Sequence, residues 1–230
     1  VHLSYRDYLS ALLTADFEVQ PNDSKYEFRR LLRESFKAYG IKPAWGGTTE
    51  EPGIWRSCSS EHFSTLRTHF ESMQRDSEEV YSFIWDNRKA LGVDETVFGR
   101  VLSVRPCLRI DYDGFALRET VVEFYQVSRL TARELRRMGL RPPKDVTGDD
   151  VVPIYGGNTI VFDEYGQPKY NITNSINNLT RQQARIDYLA KKGQYKRKAA
   201  PPRAPEQKFA AMHLRRAMRA VPEPDEKEVW

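Results

Sequence analysis

Asp113-Gly114, set between two β-branched and aromatic runs, constrains the fold more than any other feature of this chain. A two-residue Asp-Gly loop takes a type I′ turn, whose twist matches that of paired antiparallel strands. The stretch VFGRVLSVRPCLRIDYDGFALRETVVEFYQV (97–127) therefore reads as a hairpin, with one strand over 107–112 and its partner over 115–126. Phe115 and Leu117 keep one parity while Val122 and Phe124 keep the other, which predicts a bulge near Glu119 to Val121. Downstream, VVPIY (151–155), a Gly156-Gly157 turn, NTIVFDE (158–164) and KYNIT (169–173) read as a meander.

The segment before the hairpin has helical periodicity. Ser4 caps a first helix, with Asp7 as its capping-box partner and Tyr5, Tyr8, Leu9, Leu12 and Leu13 at helical spacing. Ser24 is the expected cap of a second helix, stopped at Gly40, and the two should pair antiparallel. Residues 44–60 read as a loop pinned by Trp45 and Trp55. A third helix is expected over 60–74, and Asp76 with Glu79 should box a fourth that ends at Gly92. In TARELRRMG, Thr131 and Glu134 form a capping box and Gly139 a stop, while Thr180 and Gln183 box a later helix. KRKAAPPRAP (196–205) reads as a linker and EQKFAAMHLRRAMRA (206–220) as an amphipathic helix. The implied class is α+β: a helical region over 1–95, an α+β region with antiparallel hairpins over 96–193, and a linker, basic helix and acidic end over 194–230.

Charge is unevenly distributed. Residues 181–220 hold twelve Lys and Arg but two acids, so this segment carries +10 within a chain of net charge +4. Lys191, Lys192, Lys196, Arg197 and Lys198 surround Tyr195, and Arg215, Arg216 and Arg219 lie on the last helix. These are the candidate partner-binding residues, suited to nucleic acid, to an acidic protein surface, or to the mildly acidic body itself. Two cysteines are too few for a disulfide framework, and no apolar run approaches the length of a membrane helix. The reading is a cytoplasmic protein with no membrane partner. The start at Val1, without Met, is read as the edge of a C-terminal region of a larger protein.

Catalytic patterns are sparse. The histidines are His2, His62, His69 and His213, without an HExxH. His62 and His69 stand about 10 Å apart on a helix, too far to share a zinc ion. Cys107 lies between Arg105 and Arg109, which favours a thiolate if the strand exposes it and a small core residue if it does not. Asp111 with Asp113, and Asp163 with Glu164, sit where turn geometry alone favours acids. Gly156-Gly157 lacks the Lys of a phosphate-binding loop, and no GxSxG occurs.

VHLS (1–4) and ESFKAYGIKP (34–43) resemble stretches of the C-terminal helical lobe of thermolysin-like zinc peptidases. The resemblance covers the first 43 residues, at a shorter spacing than the family's. It implies that His2 stabilises a tetrahedral intermediate, and that zinc and its ligands belong to an upstream or partner domain, this chain supplying no cofactor. VRPCLRIDYDGFALRETVVEFYQ (104–126) and YGGNTIVFDEYGQPKYNI (155–172) resemble segments of uncharacterised bacterial proteins, implying a bacterial intracellular origin. The expected function is a non-catalytic scaffold or partner-binding region that completes or regulates a zinc-peptidase domain. The alternatives are nucleic-acid association through 181–220, or an enzyme built around Cys107 or Asp111.

Overall fold

The hairpin signal is met by a four-stranded antiparallel meander: β1 (Gly99–Ile110), β2 (Ala116–Thr131), β3 (Val151–Phe162) and β4 (Pro168–Asn174), in spatial order β1-β2-β3-β4. The structure is a computed structural model that describes residues 4–43, 51–58, 63–64, 69–110, 114 and 116–195. The chain divides into two units, Val1–Gln194 and Tyr195–Trp230. The first is α+β, with helices α1 (Tyr5–Val19), α2 (Phe28–Ala38), α3 (Phe70–Met73), α4 (Ser77–Asp86) and α5 (Arg88–Leu91) ahead of the sheet. Helix α6 (Ala132–Arg137) joins β2 to β3, and α7 (Leu179–Lys191) follows β4. Of the second unit only Tyr195 is described, so the expected linker and last helix lie outside the described residues.

Burial alternates along β2. Thr120, Val122, Phe124 and Gln126 are buried, whereas Val121, Glu123, Tyr125 and Val127 between them are not. An antiparallel sheet with one packed and one open face produces this pattern. On the packed face, Met73, Val80, Phe83, Ile84 and Leu91 form one core with Val101, Val122, Phe124, Ile160 and Phe162. The Phe83 and Phe162 rings meet edge to face, 5.1 Å between centroids.

The parity change in β2 has a different cause from the expected bulge. β1 and β2 stay in register from Ser103↔Glu123 to Ile110↔Ala116, and the irregularity lies between Val101 and Ser103. The two parities serve two covers on opposite faces. Helices α3 to α5 and their neighbours cover Val122 and Phe124. On the other face Leu117 pairs with Arg109, whose Nη1 donates to the Ala15 carbonyl of α1 at 3.3 Å.

The expected Gly156-Gly157 turn is absent, because β3 runs straight through both glycines. They permit close approach instead. A Cβ on Gly156 would stand 2.5 Å from the Ile176 nitrogen, and one on Gly157 2.2 Å from the Phe124 carbonyl oxygen. The turn after β3 comes at Gly166, φ +80°, where the Asp163 carboxylate accepts from the Tyr165 and Gln167 amides. The Asp113 end of the β1–β2 hairpin lies outside the described residues apart from Gly114, which has φ +80°.

Several helix starts also differ from expectation. The Ser4–Asp7 and Thr131–Glu134 capping boxes both form. Helix α2 starts at Phe28 rather than near Ser24, because the Asp23 carboxylate accepts from the Phe28 and Arg29 amides, both at 2.7 Å. Asp76 caps α4 alone, through the Glu78 amide, while Glu79 accepts from the His69 amide. Asn178, not Thr180, caps α7, and Gln183 bonds Arg141 and Asp187. Of the expected helix over 60–74, the described part is α3. Helices α1 and α2 are antiparallel: Tyr8 meets Phe36, and Arg29 reaches back to Asp16. Leu9 and Leu13 pack there with Ile54, Leu32 and Phe36. Among the described residues no helix is long and apolar enough to cross a membrane.

Candidate functional site

The ionisable side chains concentrate where α1 meets the covered end of the sheet. Glu119 on β2 is 2% exposed and accepts from Arg109 of β1 and from Lys169 Nζ of β4, the latter at 3.2 Å. Lys169 also donates to Glu18 of α1, and the Tyr170 hydroxyl donates to the same carboxylate. Burial, with Glu18 beside it, pushes the Tyr170 hydroxyl well above the usual tyrosine range, so it remains protonated at neutral pH. The cluster satisfies itself: two carboxylates, two cations and a phenol bond to one another. It fastens α1 to the sheet, and the Tyr170 phenol keeps its proton in the bond to Glu18. Asp7 and Arg181 add a second tie, at 2.7 Å.

Two clefts flank this cluster. One of about 440 Å³ lies between Ile54–Arg56 and Tyr170–Thr173 of β4. The other, of about 510 Å³, is lined by Phe70, Cys107, Leu108, Arg118, Glu119 and Tyr165 among others. Cys107 is half-buried, and its thiol lies 3.5 Å from the Arg105 carbonyl. Cys58 is also half-buried, and burial pushes its thiol up, against a backbone hydrogen bond with Asn171. Alkylation of Cys58 in Cys107→Ser protein should therefore be about tenfold slower at pH 8 in the folded state than in denaturant. Equal rates by mass spectrometry would contradict the burial. Among the described residues no group of three or more His, Cys, Asp and Glu side chains is placed to hold a metal ion.

The rest of that sheet face is open. Register places Arg100 opposite Tyr125, Tyr125 opposite Gly157, Val127 opposite Tyr155, and Arg129 opposite Pro153. Arg100 and Arg129 are exposed, while Tyr125 and Tyr155 are half-buried. Arg185 of α7 lies over the Tyr155 ring, 4.4 Å from its centroid, and donates to the Pro153 carbonyl at 2.9 Å. Arg105 lies on the same face, 3.4 Å from Glu123, which also accepts from Ser103 at 2.6 Å. Away from the Glu119 cluster, Arg100, Arg105, Arg129 and Arg185 thus gather on this face near the Glu123 carboxylate, itself paired. The helical hairpin also exposes aromatic and apolar side chains, Tyr5, Tyr8, Phe28 and Leu31, among the charged Arg6, Arg30 and Glu34.

Of the residues singled out in the sequence, Lys191 and Lys192 are exposed at the end of α7, with Lys192 Nζ 5.7 Å from the Tyr188 ring. Tyr195 is half-buried. His2, His62, His213, Asp111, Asp113, Lys196, Arg197, Lys198, Arg215, Arg216 and Arg219 lie outside the described residues. His69 is exposed and bonds Ser72. Neither the Glu18–Glu119–Lys169 cluster nor the arginines of the open face stood out in sequence. The usable signal was the alternation in RETVVEFYQVSR (118–129), which sets Glu119, Glu123, Tyr125 and Arg129 on one side. No family model, curated protein or solved structure matches the chain.

Proposed function

We propose that this chain is a non-catalytic binding region for a polyanionic partner. The observation that carries the reading is the open sheet face, where Arg100, Arg105, Arg129 and Arg185 gather around two tyrosines. The buried charged groups, by contrast, are spent on one another, as at Glu119 and Glu18. The sequence supports the same partner, because α7 leads into the basic segment and the excess of +10 over 181–220 attracts acidic surfaces.

The test is retention on immobilised heparin. The full chain should be held at about 0.1 M salt and released as salt rises, since counterion release makes log affinity fall linearly with log salt. Arg100→Glu with Arg129→Glu should move elution to lower salt. Passage of the unmodified chain without retention at that salt rejects the reading.

A further inference from the structure

We infer that the polyanion is single-stranded nucleic acid, bound across the open face of the sheet with bases against Tyr125 and the Tyr155–Arg185 stack. The inference rests on the binding function proposed above and adds the partner's class and its seat. Charge alone attracts any polyanion. The rings distinguish one that carries flat bases from one that does not.

Tyr125 and Tyr155 occupy diagonal positions on neighbouring strands, since Tyr125 faces Gly157 and Tyr155 faces Val127. Diagonal side chains on a sheet are about 7–8 Å apart at Cα, close enough to serve successive bases of one strand. Gly157, the residue opposite, puts no side chain beside Tyr125. Arg185 already lies over Tyr155, and a guanidinium plane stacks on bases as an aromatic ring does. Arg100 and Arg129 stand at the margins, opposite Tyr125 and two residues beyond Val127, where a backbone passing over the rings would carry its phosphates. Both are exposed. Glu123 is the acid on this part of the face, and Arg105 and Ser103 hold it. A duplex buries its base faces in its own stack, so this arrangement selects single strands. An acidic peptide would use the arginines and leave the tyrosines without a role.

The experiment is fluorescence anisotropy of the full chain with a labelled twelve-nucleotide oligo(dT), a labelled duplex of the same length, and labelled polyglutamate. Oligo(dT) should bind at least about tenfold tighter than either of the others. Stacking losses per base predict about tenfold weaker oligo(dT) binding for Tyr125→Ala, with unchanged retention on heparin and recovery in Tyr125→Phe. Arg100→Glu, an exposed change that leaves the core intact, should weaken binding and flatten its salt dependence. Heparin retention without preference for oligo(dT) overturns this inference and leaves the broader one standing. Oligo(dT) binding that ignores both Tyr125→Ala and Arg100→Glu removes the sheet face as the seat. Preference for polyglutamate assigns the face to an acidic protein.

Discussion

Gly157→Ala should lower the melting temperature by about 10 °C, a larger loss than other glycine substitutions of the same size. Gly157 has φ +152°, and its missing Cβ would stand 2.2 Å from the Phe124 carbonyl oxygen and 2.9 Å from the Tyr125 Cα. These are backbone atoms of β2, which is hydrogen-bonded on both sides, so no rotamer change relieves the contact. Strain in this backbone region costs about 1–3 kcal/mol and overpacking a similar amount, about 4 kcal/mol together. At about 2–4 °C per kcal/mol for a unit of this size, the expected shift follows. Gly148→Ala is the control. Its φ is also positive, at +59°, but nothing lies within 4 Å of its Cβ, so only about 1 kcal/mol is at stake. Calorimetric melts of the two variants should differ severalfold. A Gly157→Ala shift as small as that of Gly148→Ala would mean that β3 does not lie this close to β2.

That glycine shows where the sequence was legible and where it was not. Local chemistry was readable. Ser4 with Asp7 and Thr131 with Glu134 form the expected boxes, and Gly40, Gly92 and Gly139 all stop helices at positive φ. Gly156-Gly157 was misread because a glycine pair looks the same whether it turns the chain or lets two backbones meet. What decides is Ile176 and Phe124, twenty or more residues distant. The β2 parity misled for a similar reason. One strand can serve two covers, and the sequence does not say that Arg109, opposite Leu117, reaches α1 while α4 packs on Val122. The expected partner site fell on the basic segment because charge runs are visible in one dimension. The open face assembles arginines 100, 105, 129 and 185 from three elements, and only register unites them.

Arg29→Met should cost about 3 kcal/mol and remove part of the chain's acid sensitivity. Arg29 is 1% exposed, a rare position for a charge, and all five of its N–H donors are used. Nη1 donates to Asp16 and to the Gln20 carbonyl, Nη2 to Glu51 and the Pro21 carbonyl, and Nε again to Glu51, at 2.7 to 3.2 Å. The guanidinium also lies 5.4 Å from the Phe17 ring centroid. One side chain thus joins the end of α1, the turn after it, the start of α2 and the segment that packs Ile54 against Leu9 and Leu13. Breaking a buried pair typically costs about 3–5 kcal/mol. Asp16 and Glu51 are 24% and 29% exposed and can regain water, which argues for the lower end. Arg29→Lys keeps the charge but offers three donors in place of a planar fork, so it should recover less than half of the loss. The pH dependence follows from Glu51. Burial alone would push its carboxyl up, but hydrogen bonds from Arg29 and Arg33 and their charge outweigh it and hold the group below the usual carboxylate range. A carboxyl depressed by folding contributes stability that is present above its unfolded pKa, near 4.3, and is lost as pH falls through the lower folded value. Denaturant melts between about pH 5 and pH 3 should therefore show a steeper loss in the unmodified chain than in Arg29→Met. Parallel pH curves would mean that Arg33 alone sets the Glu51 carboxyl, and that Arg29 contributes packing and carbonyl bonds rather than charge.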